Sequence, residues 1–214
     1  MRHAATHIRK YVAEALGAFT LAFVVLTASA GGLGPLVPVL AALTLAMMVY
    51  VLGSISGAHI NPAITLAQLS IGKMKLHDAM PYVAAQLIGG LLALGLATLL
   101  LPGGIPASFE ESAVAAAMEA LGCFFLSLGV CSAVYGRVTT GASGVVVGGS
   151  LLLGIVVSSG GSLGVLNPAV ALSLKLFAAS YLVAPIVGAV AAAWLYRWLS
   201  GPYASSPIEK AVRD

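Results

Sequence analysis

Ser56-Gly57-Ala58-His59-Ile60-Asn61-Pro62-Ala63 and Ser162-Leu163-Gly164-Val165-Leu166-Asn167-Pro168-Ala169 are the stretches whose reading decides the fold. In each, a break rich in small residues interrupts strongly apolar sequence and ends in Asn-Pro-Ala. Asn is a favoured helix N-cap because its side-chain oxygen accepts a bond from an early helical N–H, and Pro at the next position gives up no hydrogen bond there. The two tripeptides therefore predict short helices over 61–71 and 167–176. If both helices begin inside a bilayer, their positive dipole ends and the two Asn NH2 groups meet around one passing solute. Such an arrangement selects by charge.

The flanking sequence supplies the bilayer setting. Of 214 residues, 10 are Lys or Arg, 7 are Asp or Glu and 60% are hydrophobic. Mean hydropathy is +1.04, far from soluble domains, in which about a quarter of residues are charged. Apolar stretches lie near 11–30, 36–55, 78–100, 112–135, 143–159 and 180–199. Each is about twenty residues, long enough to cross a hydrocarbon core of about 30 Å. The expected fold is an all-α membrane protein, one domain over 1–214, with six transmembrane helices and two re-entrant half-helices. Little chain is left for a soluble catalytic or nucleic-acid-binding domain, and nothing in the sequence asks for a cofactor or a metal. The net charge of +3 reflects topology and not a polyanion partner.

Lys and Arg near span ends accumulate on the cytoplasmic side. Six spans place both termini there, in a cell inner or plasma membrane. Arg2, Arg9, Lys10, Lys73, Lys75, Arg137, Arg197, Lys210 and Arg213 all fall on that side. Only Lys175 falls opposite, beside a loop carrying Glu110 and Glu111. A signal peptide ending near Ala28-Ser29-Ala30 is disfavoured, because the apolar run before it is a full span and contains Glu14. Cys123 and Cys131, eight apart on one helix, are too distant for a disulfide and are expected to pack.

The chain repeats itself. Ala13-Glu14-Ala15-Leu16-Gly17-Ala18-Phe19 recurs as Met118-Glu119-Ala120-Leu121-Gly122-Cys123-Phe124, and Asn61-Pro62-Ala63 as Asn167-Pro168-Ala169. The halves run about 8–101 and about 111–200. Three spans per half is an odd number, so the halves insert with opposite orientation, and solutes then meet the protein near the midplane. Non-helical backbone at that depth must be buried or line a wet cavity. The carbonyls of Gly57, Ala58, His59, Ile60, Leu163, Gly164, Val165 and Leu166 are thus expected to line the pore as acceptors. Small residues at Ala85, Gly89 and Ala93, and at Ala184, Gly188 and Ala192, allow close helix approach. The intramembrane acids Glu14 and Glu119 are expected to hold the loop N–H groups rather than touch solute. His59 reads as packed more readily than as a pH gate, His77 as part of a solvated loop, and Lys175 as the polar end of the second half-helix.

These residues resemble the aquaporin and aquaglyceroporin (major intrinsic protein) family over nearly the whole chain. The resemblance is carried by the Ser56 to Ala63 stretch, the paired Glu14 and Glu119, and Tyr82-Ala85-Gln86-Gly89. It implies a homotetramer with one pore per subunit, passing water or small neutral solutes through the lipid bilayer. It also implies a four-residue constriction near the outer mouth, which by counting from the two Asn residues falls at Ala41, Ile155, Gly164 and Val170. The family pattern has Arg directly after the second Asn-Pro-Ala, where this chain has Val170. The expected opening is uncharged and apolar, which favours a permissive channel for water with glycerol, urea or ammonia. Short outer loops, near 101–110 and before Asn167, favour a strict water channel instead.

Rivals are weaker. Gly141-Ala142-Ser143-Gly144 matches the element around an intramembrane serine nucleophile, but His3, His7, His59 and His77 lie on no later span, so no base is available. No enzyme is expected. A coupled transporter needs ionisable groups in its pathway, and the only acids away from the span ends are the symmetric pair, Glu14 and Glu119. A non-conducting relative plugged by Ile155 and Val170 stays open.

Overall fold

A computed structural model describes residues 2–101 and 111–201. Glu110, Lys210 and Arg213, and the loop near 101–110 beyond its first and last neighbours, lie outside the described residues. All regular elements among the described residues are helices, and six stretches are long and apolar enough to cross a membrane. The first half contains α1 (Arg2–Ala30), α2 (Val37–Ser56), α3 (Pro62–Ser70) and α4 (Leu76–Leu100). The second contains α5 (Ala113–Val134), α6 (Thr140–Ser158), α7 (Pro168–Ser173), α8 (Ala179–Leu182) and α9 (Ala184–Ser200). The last span is α8 and α9 taken together, broken at Val183, just before Pro185, whose ring carries no N–H.

The repeat is visible in the packing. α1 packs most extensively against α4, and α5 against α9, while α2 and α6 join the halves. Each half-helix lies against the third span of the other half, α3 on α9 and α7 on α4. Glycine permits the closest approaches. A Cβ on Gly89 would sit on the carbonyl of Ala15, and one on Gly188 on the carbonyl of Ala120. Those contacts align Gly89 with Gly188 just as the sequence repeat aligns Ala15 with Ala120. Small side chains are accordingly frequent in the core, with Ala18, Ala22, Ala63, Ala67, Ala93, Ala189 and Ala193 all fully buried beside larger groups such as Leu26, Ile64 and Tyr181. The outward faces carry large apolar groups such as Val12, Leu92, Leu99 and Trp198, which suits a lipid surface and would be an aggregation hazard in water.

The half-helices are unequal, and the expectation of a second helix reaching 176 is corrected. α3 has 9 residues and α7 only 6, a rise of about 14 Å against about 9 Å. α3 is closed by Gly72 at φ +77, with its N–H on the carbonyl of Leu69 and the next N–H, of Lys73, on that of Gln68. α7 is closed in the same way by Lys175 at φ +61, with bonds to Leu172 and, from Leu176, to Ala171. Both are left-handed stops of the kind that glycine usually fills. Lys175 therefore lies past the end of α7 and forms its stop.

Candidate functional site

The two Asn-Pro-Ala segments meet. Asn61 is an extended N-cap whose Oδ1 accepts the N–H of Ala63 at 2.9 Å, while its Nδ2 donates to the carbonyl of Leu166 at 2.9 Å. Asn167 mirrors it, with Ala169 N–H at 3.0 Å and the carbonyl of Ile60 at 3.0 Å. The amide orientations follow from these partners, since a flipped side chain would oppose N–H to N–H and oxygen to oxygen. Each NH2 uses one hydrogen for the cross-tie and keeps one. Both side chains are buried.

The backbone before each cap is held in an unusual shape. Ala58, Ile60 and Leu166 take φ of +49°, +52° and +55°, beside Gly57 and Gly164 at +91° and +66°. A β-branched residue such as Ile60 is a genuine outlier there. The surrounding bonds over-determine the conformation. Glu14 accepts from the N–H of His59 (3.0 Å) and Ile60 (2.7 Å), the hydroxyl of Ser56 (2.6 Å) and Nε2 of Gln86 (2.7 Å). Glu119 accepts from the N–H of Val165 (2.9 Å) and Leu166 (2.7 Å) and the hydroxyl of Ser162 (2.6 Å). The Ser56 and Ser162 hydroxyl oxygens in turn accept the N–H of Ala58 and Gly164, each at 3.0 Å.

These bonds fix which way the carbonyls point. In a planar trans peptide the C=O of one residue opposes the N–H of the next. With the N–H groups of Gly164, Val165 and Leu166 turned toward Ser162 and Glu119, the carbonyls of Leu163, Gly164 and Val165 point the other way. The same reasoning turns the carbonyls of Gly57, Ala58 and His59 away from Glu14. Ile60 and Leu166 differ from the rest of the ladder, because their carbonyls are taken by Asn167 and Asn61, and that of Leu166 also by the Cys123 thiol at 3.3 Å.

A cavity of about 420 Å³ runs along these groups. Asn61 and Asn167 line it, as do Ala58, His59, Ile60, Leu163, Gly164 and Val165; Gly57 and Leu166 do not, nor do Pro62, Ala63, Pro168 and Ala169, which form the helix starts behind the Asn side chains. Ala41, Ile155, Gly164 and Val170 converge on the same cavity. Gly164 is pressed against α6, since a Cβ there would lie 3.0 Å from Ile155. The remaining wall is mostly apolar, including Leu21, Leu45, Ile64, Leu126, Val147 and Leu151, with the serines Ser29, Ser159 and Ser162, and among the described residues no Asp, Glu, Lys or Arg lines it.

His59 borders a second, polar cavity lined by Lys10, Lys73, Lys75 and Tyr82. Its Nδ1 is 3.1 Å from the Thr65 hydroxyl and its ring stands edge-on to Tyr82, whose hydroxyl donates to the carbonyl of Ser56 at 2.8 Å. His77 is exposed, 3.3 Å from Asp78. Cys131 accepts from Gln68 at 3.5 Å, and both cysteines are free and buried. The sequence reading missed the bonds made by Ser56, Ser162 and Gln86. The two serines were findable, because they recur at the interval of the two Asn residues.

Six membrane-length helices, two half-helices meeting cap to cap, and a cavity threaded past both caps define a helical channel protein. The comparisons give its family. Residues 1–196 match the family described as Major intrinsic protein. The chain is 32% identical to Aquaporin NIP1-1 of Zea mays over 97% of this chain and 79% of that protein, and 37% identical to Probable aquaporin AqpM of Archaeoglobus fulgidus over 74% of each. Its structure is similar to the aquaglyceroporin of Plasmodium falciparum, with a TM-score of 0.73 at 26% identity, covering 89% of this chain and 95% of that one. The chain belongs to the major intrinsic protein family. It is an integral membrane channel for water and small solutes and not an enzyme.

Proposed function

We propose that this channel is permissive, passing water together with small uncharged solutes of the glycerol, urea or ammonia kind through a mouth ringed by Ala41, Ile155, Gly164 and Val170. One observation carries the reading: those four residues and both Asn side chains line a single cavity. A mouth plugged by Ile155 and Val170 would divide that cavity. With no charged or aromatic side chain among the four, the opening is bounded by methyl groups and one bare glycine backbone. The resemblance to a protein described as an aquaglyceroporin fits the same reading.

In this proposal Asn61 and Asn167 offer their second amide hydrogens to the solute at the centre. Their helix dipoles oppose cations, and a water that turns its oxygen to both amides breaks the proton wire. Glu14 and Glu119 shape the loops and do not meet the solute. Each half of the chain, about 8–101 and about 111–200, contributes one loop. The assembly is a homotetramer with both termini in the cytoplasm. Stopped-flow light scattering on proteoliposomes tests the reading. Water, glycerol and urea should all cross faster than in protein-free vesicles, and water passage alone would make this a strict water channel.

A further inference from the structure

We infer that the mouth of this pore selects for hydrogen-bond donors: a neutral solute carrying N–H or O–H groups passes, and one of equal size carrying only acceptors is held back. The inference rests on the permissive-channel reading and names the solute class it admits.

Donors and acceptors are unevenly divided along the half of the cavity that leads to the Asn pair. The four side chains at the constriction are Ala41, Ile155, Val170 and the bare Gly164, and none has a polar side-chain atom. The loop beside them offers the carbonyls of Leu163, Gly164 and Val165. Its N–H groups at 164, 165 and 166 are all consumed on the opposite side by Ser162 and Glu119. The Ser162 hydroxyl hydrogen goes to Glu119 and that of Ser159 to the carbonyl of Val156. The four constriction side chains and the loop N–H groups at 164, 165 and 166 therefore give the solute no donor, while the loop carbonyls accept; the Ser29 hydroxyl, on α1, lines the same cavity and is none of the four.

A solute entering the narrow section sheds water. A primary amide or a polyol regains bonds by donating to the carbonyl ladder while its apolar face slides along Ile155 and Val170. An acceptor-only molecule finds no donor among those four side chains or in this loop, and a buried polar group without a partner is costly. One net hydrogen bond is enough for a difference in entry rate of about threefold to tenfold.

Acetamide and dimethyl sulfoxide make a suitable pair, equal in heavy-atom count, with a donor-bearing NH2 in one and no donor in the other. Entry of each into proteoliposomes is measured by stopped flow, with the leak of protein-free vesicles subtracted. Acetamide is expected to exceed dimethyl sulfoxide by at least about threefold in channel-mediated entry. Val170→Arg adds N–H donors at the mouth and should pull that ratio toward one, whereas Val170→Leu adds bulk without donors and should slow both solutes while keeping the ratio. Equal entry rates in the native channel, or a ratio shifted as much by Val170→Leu as by Val170→Arg, would overturn the inference while rapid water and acetamide flow left the permissive channel standing. Rates no higher than in protein-free vesicles for water and both solutes would remove the channel reading and this inference together.

Discussion

Asn61 donates from its side-chain amide to the carbonyl of Leu166 at 2.9 Å, so the cap of the first half-helix is fastened to the residue just before the cap of the second. The reciprocal bond from Asn167 to Ile60 closes the pair at 3.0 Å. Each Asn thus does three things with one side chain: Oδ1 caps its own helix, one amide hydrogen ties the halves together, and the other is left for the cavity.

Asn167→Asp separates these roles. Asp is as good a cap as Asn, so α7 should still start at Pro168, but the carboxylate has no hydrogen for Ile60 and brings negative charge to the centre. Loss of the tie leaves an unpaired carbonyl and should cost about 1–3 kcal/mol. The added charge offsets the dipole field that opposes cations. Sodium or potassium leak into proteoliposomes should rise while water flow persists. A folded variant whose ion leak matches the native channel would contradict the assigned role.

Glu119→Gln tests the loop clamp. The carboxylate accepts two adjacent backbone N–H groups and a hydroxyl. A Gln of the same shape must turn its NH2 toward at least one of those donors. One buried donor is then orphaned, and about 1–3 kcal/mol of stability should be lost. Because Leu166 is held at φ +55 by those bonds, solute flow should fall along with the thermal midpoint measured in detergent. A full loss of flow without any shift in midpoint would place Glu119 in contact with solute.

What the sequence disclosed, and what it hid, follows from the repeat. Asn61 and Asn167, Glu14 and Glu119, and Ser56 and Ser162 each occur in both halves at nearly one interval, so one copy interprets the other. Gln86 and Cys123 have no such echo. The Gly89 to Gly188 correspondence places Pro185 opposite Gln86, and the Glu14 to Glu119 correspondence places Ala18 opposite Cys123. Their bonds to Glu14 and Leu166 were invisible to pattern reasoning. The early end of α7 was hidden for a different reason. Its stop is made by a lysine in a left-handed conformation, and Ala171-Leu172-Ser173-Leu174 carries no breaker.

That stop can be relaxed. A non-glycine residue in the left-handed region costs about 1–2 kcal/mol, and Lys175→Gly removes the strain at the expense of extra freedom in the unfolded chain. The net effect should be a stabilisation of about 0.5 kcal/mol, read as a higher thermal midpoint with unchanged water flow. Lys175→Val, with a branched Cβ at φ +61, should lower the midpoint. Equal midpoints for Gly and Val would show that this turn does not hold the left-handed shape.

Close packing gives a sharper contrast between two glycines. Gly188→Ala drives its methyl into the carbonyl of Ala120, where α9 crosses α5, and overpacking of this kind costs about 1–3 kcal/mol. Gly95→Ala on α4 meets open space and should be neutral or stabilise by about 0.5–1 kcal/mol, because Ala is the better helix former. Thermal unfolding of the two variants side by side checks the repeat alignment as well. Gly89→Ala should behave as Gly188→Ala does, since it meets Ala15 in the same way.

Val170→Arg bears most directly on selectivity. Val170 is 3% exposed and lines the same cavity as Ala41, Ile155 and Gly164, with which it is proposed to form the constriction. An Arg side chain on the first turn of α7 reaches across this section, occupies part of its width and adds a fixed positive charge with several N–H donors. Water needs the least cross-section and can exchange bonds with the guanidinium, so its flow should fall least. Glycerol and urea need more room along the methyl-lined wall and should be slowed more than water. Stopped-flow measurement of all three on the same vesicles decides the matter. A uniform loss would mean that position 170 does not set the width of the opening, and the apolar ring would then have to be sought elsewhere along the cavity.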